Sequence, residues 1–346
     1  MIDSYYTDSS LADNLISYIP DNIPIASVAD FCAGGGELLN ATIRRYPTVE
    51  CTAVDIDATA INTITKEHPN WNIVHADFMN RSEMDASIGD LRYDLITLNP
   101  PFSCKGSKIV SVQIDGYSFK VSTSMAFLLQ AIEYLKPEGI LVAILPMSIV
   151  YSQKDKLAWQ FLQHNYNAYV LQELDKYPFN KCAPGIVLVS INYEFDKTYT
   201  STSIAHCDCD FPFEIHIKRG QLSMCDVSKN EDGDLLLIHT TNLCDNKIAN
   251  LNTKVNTHST VCGPAVLIPR VCNPNVGKIV LLEEKRKYAI SDCIIALMVD
   301  NIIDATQLYD TIKNDWESFR GLYKGTGAKY ITLERLKEYL NYTQRV

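Results

Sequence analysis

Long apolar runs are missing from the sequence. The most apolar stretch, GILVAILPMSIV, is far shorter than the roughly 20 residues that a membrane helix needs, and it contains a proline. The first residues carry neither a basic leader nor an apolar segment, so we expect no secretory or mitochondrial targeting peptide. The composition, 47% hydrophobic and 21% charged, is ordinary for a globular protein, and we expect a cytoplasmic location without a membrane partner.

Paired cysteines are also missing. The 11 cysteines are scattered singly, their number is odd and no C-x-x-C pair occurs, which is typical of reduced thiols in a cytosol. The densest cluster is HCDCD, with His206, Cys207 and Cys209, but two further ligands at suitable spacing cannot be found. The sequence therefore predicts a polar loop at this segment and no metal site.

Positive charge is scarce in the first part of the chain. Residues 1–214 hold 14 Lys and Arg against 26 Asp and Glu, a net charge of −12. Residues 215–346 hold 17 against 15, a net charge of +2, so the C-terminal part can present a basic face although the whole chain carries −10. A length of 346 residues exceeds that of most single domains, and we predict domains at residues 1–196 and 197–346.

Strand patterns alternate with helical patterns in the first half. The strand-like runs IASVAD, VECTAVDID, WNIVHADF, YDLITLNPPF and ILVAILP are separated by segments with helical spacing. This alternation predicts an α/β fold, a Rossmann-like sheet with helices on both faces, followed by a smaller mixed α+β domain. Ligands of such sheets bind beyond the carboxyl ends of the strands. The unusual residues stand there: Asp30 to Gly36, Asp55 and Asp57, Asp77, and Asn99 to Phe102.

The glycine-rich loop DFCAGGGELL follows the first strand. Its residues Asp30, Ala33, Gly34 and Gly36 stand where the strand turns into a helix, so a ligand can approach the backbone closely. The pattern is not G-x-G-x-x-G, because Glu37 follows the last glycine. A carboxylate there would repel a pyrophosphate at the helix N-terminus, so a cationic or zwitterionic cofactor fits better.

The next two strand ends suit a nucleoside. Asp55 can accept hydrogen bonds from both ribose hydroxyls, and Ile56 can pack on an adenine face. Asp77 can bind the adenine amino group while Phe78 covers the ring. A nucleoside with a charged amino-acid tail matches this set, which indicates S-adenosyl-L-methionine as the cofactor.

The order of these motifs resembles that of the S-adenosylmethionine-dependent N6-adenine DNA methyltransferases, whose cofactor motif precedes an N-P-P-[FYW] motif. Here that motif is Asn99-Pro100-Pro101-Phe102. The segment YYTDSS is similar to the family's Tyr-x-Thr-Pro segment, which contributes to the cofactor pocket. The resemblance implies that Thr7 lies in this pocket, with Tyr5 as a further candidate. Asp8 departs from the family pattern, because it stands where the family usually has proline.

A second outer segment extends the resemblance, so that it covers residues 5–193. DKYPFNKCAPGIVLVSINYE resembles the segment whose aromatic residue packs against the flipped base, which implies this role for Phe179, with Tyr177 as the alternative. The polar segment 103–124, with Lys105, Lys108 and Lys120, is either a loop that closes over the target nucleotide or a disordered surface loop.

The N-P-P-F motif has a chemical reason. The lone pair of an exocyclic amino group is delocalised into the adenine ring, and acceptors that pull on both amino hydrogens localise it. The Asn99 side-chain oxygen and the Pro100 carbonyl, stiffened by Pro101, can accept one hydrogen each. Phe102 can then stack on the base and Phe179 can hold its other face or edge. A strong general base is not needed.

The second half resembles, more loosely, the target-recognition domains of type I specificity subunits and related adenine methyltransferases. Candidate backbone contacts are Pro269-Arg270, Lys278 and the segment EEKRK at 283–287. The resemblance implies double-stranded DNA as substrate, in a prokaryotic or phage-type protein with a cognate restriction endonuclease as a candidate partner. The alternatives are an RNA or protein-glutamine methyltransferase and a non-catalytic DNA-binding subunit.

Overall fold

A seven-stranded sheet organises the first part of the chain in the computed structural model, which describes residues 7–102, 109–175, 177–178, 184–192, 211–225, 227 and 233–340. The chain divides into two compact units, Met1–Thr202 and Ser203–Val346. Within the described ranges, every helix is too short or too polar to cross a membrane.

The sheet of the first unit has the alternation that its sequence predicts. Its strands are β1 (Ser27–Asp30), β2 (Glu50–Asp55), β3 (Asn72–His75), β4 (Tyr93–Leu98), β7 (Leu135–Pro146), β8 (Tyr169–Leu174) and β9 (Ile186–Ile191). Their order is β3-β2-β1-β4-β7-β9-β8, in which β1 to β4 and β7 run parallel and β9 runs antiparallel to both its neighbours. The predicted Rossmann-like α/β fold is confirmed.

In the described part of the first unit, seven helices lie among these strands, and three of them begin after a residue whose side chain caps the helix. They are α1 (Ser9–Ser17), α2 (Glu37–Arg45), α3 (Ala58–Glu67), α4 (Arg81–Ser87), α5 (Thr123–Ile132), α6 (Ser148–Tyr151) and α7 (Lys156–Asn165). Asp8, Asp57 and Ser122 cap α1, α3 and α5, each accepting a hydrogen bond from a first-turn amide. Two apolar clusters contain the buried strand and helix residues of this unit.

Segment 103–124 differs from the predicted loop. Its described part forms a β-hairpin of β5 (Val110–Ile114) and β6 (Tyr117–Val121). The turn residues Asp115 and Gly116 both have positive φ, 49° and 80°, as a tight hairpin turn requires. Val112 and Ile114 are buried, whereas Lys120 is exposed on the other face. Lys105 and Lys108 lie outside the described residues.

The second unit is strand-rich and ends in helices, as predicted. Its elements are β10 (His216–Arg219), β11 (Leu235–Ile238), β12 (Leu243–Cys244), β13 (Lys247–Ile248), β14 (Lys254–Val255), β15 (Thr260–Val261), β16 (Ala265–Pro269), β17 (Val280–Leu282), β18 (Tyr288–Ile290), β19 (Ile294–Met298), α8 (Ile302–Asn314), α9 (Trp316–Arg320) and α10 (Leu333–Tyr339). One four-stranded sheet has the order β10-β19-β16-β17, and another has the order β14-β11-β18-β15. A separate apolar cluster joins strands and helices of this unit, so it has its own core.

Candidate active site

Three of the predicted positions lie at the carboxyl ends of adjacent parallel strands. β1 lies between β2 and β4, with Asp30 paired with Ala53 on one side and Thr97 on the other. Asp55 ends β2, and Asn99 follows the last residue of β4. Because these strands run parallel, the three side chains are gathered at one edge of the sheet.

The glycine-rich loop is bound directly to the second strand. The amide of Gly34 donates to Oδ2 of Asp55 at 2.7 Å, and the amide of Ala33 donates to the carbonyl of Val54 at 3.0 Å. Gly34 and Gly36 have φ of 52° and 80°, a left-handed conformation that favours glycine. The sequence predicted this loop from its glycines, and the structure adds its attachment to Asp55.

Asp30 is the most buried carboxylate of this edge, with 1% of its surface exposed. Burial, reinforced by the nearby charge of Asp55, raises the pKa of Asp30 to about 7, although its carboxylate accepts a hydrogen bond from the Cys32 amide at 2.9 Å. Burial also raises the pKa of the Cys32 thiol, with further contributions from Asp30, Asp55 and Asp77. Asp30, Asp55 and Asp77 therefore all lie close enough to Cys32 to act on its thiol electrostatically, which makes this edge of the sheet acidic.

Ile56 follows Asp55 and is unusually exposed for a large apolar residue, at 53%. Asp55 Oδ1 accepts from the amide of Asp57 at 2.8 Å, and the imidazole Nε2 of His75 lies 3.1 Å from the carbonyl of Ile56. These contacts hold the turn after β2 in place. An exposed side chain on a fixed turn is suited to the predicted packing against an adenine ring.

Phe78 has a different environment from the predicted one. Its ring is 2% exposed and stacks on Phe31 with centroids 4.4 Å apart, while its carbonyl accepts a hydrogen bond from Gln130. The structure thus gives this ring a packing role in the core instead of a free face for a ligand. Asp77 before it is half-buried and accepts from the Met79 amide at 3.0 Å, so its carboxylate stays at the strand end.

Asn99 is tied to the N-terminal segment. Its amide nitrogen donates to the hydroxyl of Thr7 at 2.9 Å, across 92 positions of sequence. The side-chain oxygen is at the opposite corner of the same amide and so is directed away from Thr7. The two segments that the resemblance assigns to one pocket, YYTDSS and NPPF, are therefore in contact.

The residues after Asn99 are held by the surrounding structure. Pro100 is buried, and the carbonyl of Pro101 accepts from the Ser124 hydroxyl at 3.0 Å. Phe102 is 4% exposed and belongs to an apolar cluster that includes Leu11 of α1. The ring that we predicted to stack on a base is thus packed in the core, while the backbone of the motif is rigidly supported.

Sequence reasoning missed one interaction near this edge. The Tyr177 hydroxyl donates to Oδ2 of Asp8 at 2.5 Å, and Asp8 Oδ1 accepts from the Leu11 amide at 3.0 Å. A signal was present, because Asp8 replaces the proline of the family pattern and aspartate is a preferred helix cap. Phe179 and Tyr5 lie outside the described residues, as do His206, Cys207 and Cys209.

Comparison with known proteins shows what the first unit is similar to. Residues 10–177 match the family model "Methyltransferase small domain". The chain is similar to the ribosomal protein uL3 glutamine methyltransferase of Bradyrhizobium diazoefficiens, with 26% identity over 41% of this chain and 46% of that protein. It is also similar to the modification methylase CviBIII of Paramecium bursaria Chlorella virus NC1A, with 25% identity over 42% of this chain and 38% of that one.

A third relative is the tRNA1(Val) (adenine(37)-N6)-methyltransferase of Flavobacterium psychrophilum, with 29% identity over 40% of this chain and 59% of that protein. The chain thus spans about half the length of the curated relatives it matches. The matched residues include the glycine-rich loop, the two following strand ends and the N-P-P-F motif. The first unit is thus similar to the methyltransferase small domain family, and its Rossmann-like methyltransferase fold implies S-adenosyl-L-methionine as the cofactor.

Proposed function

We propose that the protein transfers a methyl group from S-adenosyl-L-methionine to the N6 amino group of adenine in double-stranded DNA. One observation carries this proposal: the amide of Asn99 is fixed by Thr7 at the carboxyl end of β4, beside the strand ends that hold the acidic cofactor edge. The cofactor supplies a methyl group on a positively charged sulfur. The acidic side chains of Asp55 and Asp77 suit that charge, while Asp30 keeps its proton up to a pKa of about 7.

The role of the N-P-P-F backbone is to prepare the acceptor nitrogen. The Asn99 side-chain oxygen and the Pro100 carbonyl accept one amino hydrogen each, which withdraws the lone pair from the ring and favours a tetrahedral nitrogen. As positive charge grows on this nitrogen, the two oxygens stabilise it electrostatically. Rigidity matters because the oxygens must keep their positions during transfer, and the bond from Ser124 to the Pro101 carbonyl supports it.

Two observations support DNA as the acceptor. A viral modification methylase is among the relatives, and the second unit adds a strand-rich body with its own core to the methyltransferase unit. Adenine in a duplex must be extruded from the stack, at a cost of about a few kcal/mol, so contacts outside the catalytic edge have to hold the DNA. The near-neutral second half is where such contacts are expected.

The predicted DNA-contacting residues of the second unit differ in whether they already bond to other protein groups. The Arg270 Nε donates to the Asp292 carbonyl at 2.6 Å, and Lys278 Nζ donates to the Thr240 carbonyl at 3.3 Å, so both cations already have protein partners. Residues 283–287 are all exposed, between β17 and β18. This segment is therefore the strongest of the three candidates for phosphate contact.

The experiment is methyl transfer with radiolabelled S-adenosyl-L-methionine and three acceptors in parallel: duplex DNA of mixed sequence, total RNA and a ribosomal protein fraction. We expect label in DNA, on N6-methyladenine after nucleoside digestion. Asn99→Ala is the control for catalysis by this chain, since it removes the accepting amide and should abolish labelling.

Label in another acceptor would indicate a methyltransferase with a different substrate. Label only in RNA would favour an RNA adenine methyltransferase, and label only in protein would favour glutamine, the acceptor named for the Bradyrhizobium relative. Either result would overturn the DNA proposal while keeping the role of Asn99. Cofactor binding without labelling of any acceptor would favour a non-catalytic subunit. A cognate endonuclease partner is proposed from the resemblance, and sequencing of modified bases in cells that express the protein would identify the methylated site that such an enzyme would share.

A further inference from the structure

Asp8 joins two parts of the chain that are far apart in sequence. One carboxylate oxygen, Oδ1, caps α1 through the Leu11 amide at 3.0 Å. The other, Oδ2, accepts from the Tyr177 hydroxyl at 2.5 Å, across 169 positions of sequence. The two bonds use different oxygens, so the helix cap and the link to Tyr177 are separate interactions.

Each end of this link is anchored. Helix α1 is held in the core by four buried residues, Leu11, Ala12, Leu15 and Ile16. On the other side, the Tyr177 amide donates to the Pro184 carbonyl at 2.9 Å, which fixes the tyrosine shortly before β9. Burial, together with the bond to Asp8, raises the pKa of Tyr177 to about 12, so the hydroxyl keeps its proton at neutral pH.

Thr7 immediately precedes Asp8 in the chain. Its hydroxyl accepts the hydrogen bond from the Asn99 side-chain amide at 2.9 Å. A shift of the backbone at Asp8 therefore moves the group that orients Asn99. We propose that Asp8 and Tyr177 are positioning residues for methyl transfer, which hold Thr7 so that the Asn99 oxygen faces the acceptor nitrogen. This inference rests on the proposed function.

The alternative is that the pair only stabilises the start of α1. The two readings differ because a positioning pair affects the turnover rate, whereas a stabilising pair affects folding. A misplacement of catalytic groups by about 1 Å can lower a rate by about 100-fold without a change in overall fold. The cap and the link can be separated, because serine also caps a helix but has one oxygen instead of two.

The test compares Asp8→Ser, Tyr177→Phe and the double variant with wild type. Tyr166→Phe is the matched control, since it removes an equivalent bond from a tyrosine hydroxyl to Asp115 at 2.5 Å, in the hairpin turn. We expect kcat to fall about tenfold in each single variant and no further in the double variant, because both remove the same link. The Kd for S-adenosyl-L-methionine and the melting temperature should stay near wild type, as should kcat of Tyr166→Phe.

Unchanged kcat in the single variants, additive losses in the double variant or an equal loss in Tyr166→Phe would overturn the inference. A fall in melting temperature with kcat intact would show a purely stabilising pair. Hydrogen exchange of the amides of residues 8–18 provides a readout without an acceptor: Tyr177→Phe should accelerate it and Tyr166→Phe should not. If wild type binds the cofactor and labels no acceptor, the proposed function fails, and the exchange comparison still decides whether the pair holds α1.

Discussion

Asn99 is the single residue on which the proposed chemistry depends most. Replacing it with alanine removes the oxygen that accepts an amino hydrogen and leaves Thr7 without its amide donor. We expect Asn99→Ala to lower kcat by about 100-fold or more, the size seen when one preorganised transition-state hydrogen bond is lost. Calorimetric affinity for S-adenosyl-L-methionine should change little. Turnover near the wild-type rate would contradict the assigned role, and Thr7→Val, which only loosens the amide, should give a smaller loss.

The buried carboxyl group of Asp30 should make the stability of the first unit depend on pH. Burial raises the pKa of Asp30 to about 7 from its usual 3.8, so the folded chain keeps a proton that the unfolded chain releases between these values. The free energy of unfolding of the first unit should therefore fall as pH rises from about 4 to 7 and should lose no more from this group above that window. Asp30→Asn, which cannot ionise, should lack this decrease.

The measurement for Asp30 is hydrogen exchange of the amides in β1 and β4. Comparing wild type and Asp30→Asn at the same pH cancels the intrinsic exchange rates. The variant should gain protection relative to wild type as pH rises from 5 to about 7. A constant difference between the two proteins across this range would show that Asp30 does not carry the expected proton.

Residue roles at this edge were only partly predictable from the sequence. The positions of Asp55 and Asn99 were predictable, because polar residues directly after buried strands must lie at the ligand-binding edge of a parallel sheet. For Phe78 and Phe102 the sequence could not decide between a ligand contact and a core position. An aromatic residue beside such an edge can face either the ligand or the core. Only the three-dimensional packing shows that both rings are buried.

Two neighbouring glycines of the glycine-rich loop differ in the space that a side chain would have. Gly36 has φ of 80°, and a Cβ there would lie 3.2 Å from the Trp71 ring, whereas a Cβ on Gly35 would meet no atom within 4 Å. Gly36→Ala should therefore lower the free energy of unfolding by about 1–2 kcal/mol, the cost of a left-handed conformation for a residue with a side chain. Thermal or urea unfolding measures it. Gly35→Ala is the matched control, and an equal loss in both variants would contradict the argument.

The hairpin of β5 and β6 shows where element prediction failed. Val110, Val112 and Ile114 alternate with polar residues, and Asp115-Gly116 is among the strongest short turn signals for a two-residue hairpin. The segment is long and mostly polar, and this composition favours a loop. The structure shows that only one face of the hairpin is buried, which is the pattern that alternation predicts.

At the scale of the whole molecule, the parallel sheet was predictable and the second unit was not. Near-continuous apolar strands followed by helices allow few topologies, because crossover connections between parallel strands are right-handed. The second unit is built from strands as short as Leu243–Cys244 and Lys247–Ile248, and their pairing depends on contacts distant in sequence. For such strands periodicity is too brief to define a register. Composition could therefore indicate only a strand-rich body before helices.

The exposed basic residues between β17 and β18 have a testable consequence for DNA binding. If the exposed segment 283–287 contacts phosphates, the double variant Lys285→Ala with Lys287→Ala should weaken binding of the full chain to duplex DNA regardless of sequence. It should also reduce the slope of log K against log salt by about 0.9 per lost contact, because each contact releases condensed counterions. Lys247→Ala with Lys254→Ala is the control, since it removes the same charge from two exposed lysines of the same unit. Equal salt slopes for the two double variants would mean that net charge alone governs binding and that this segment is not the contact.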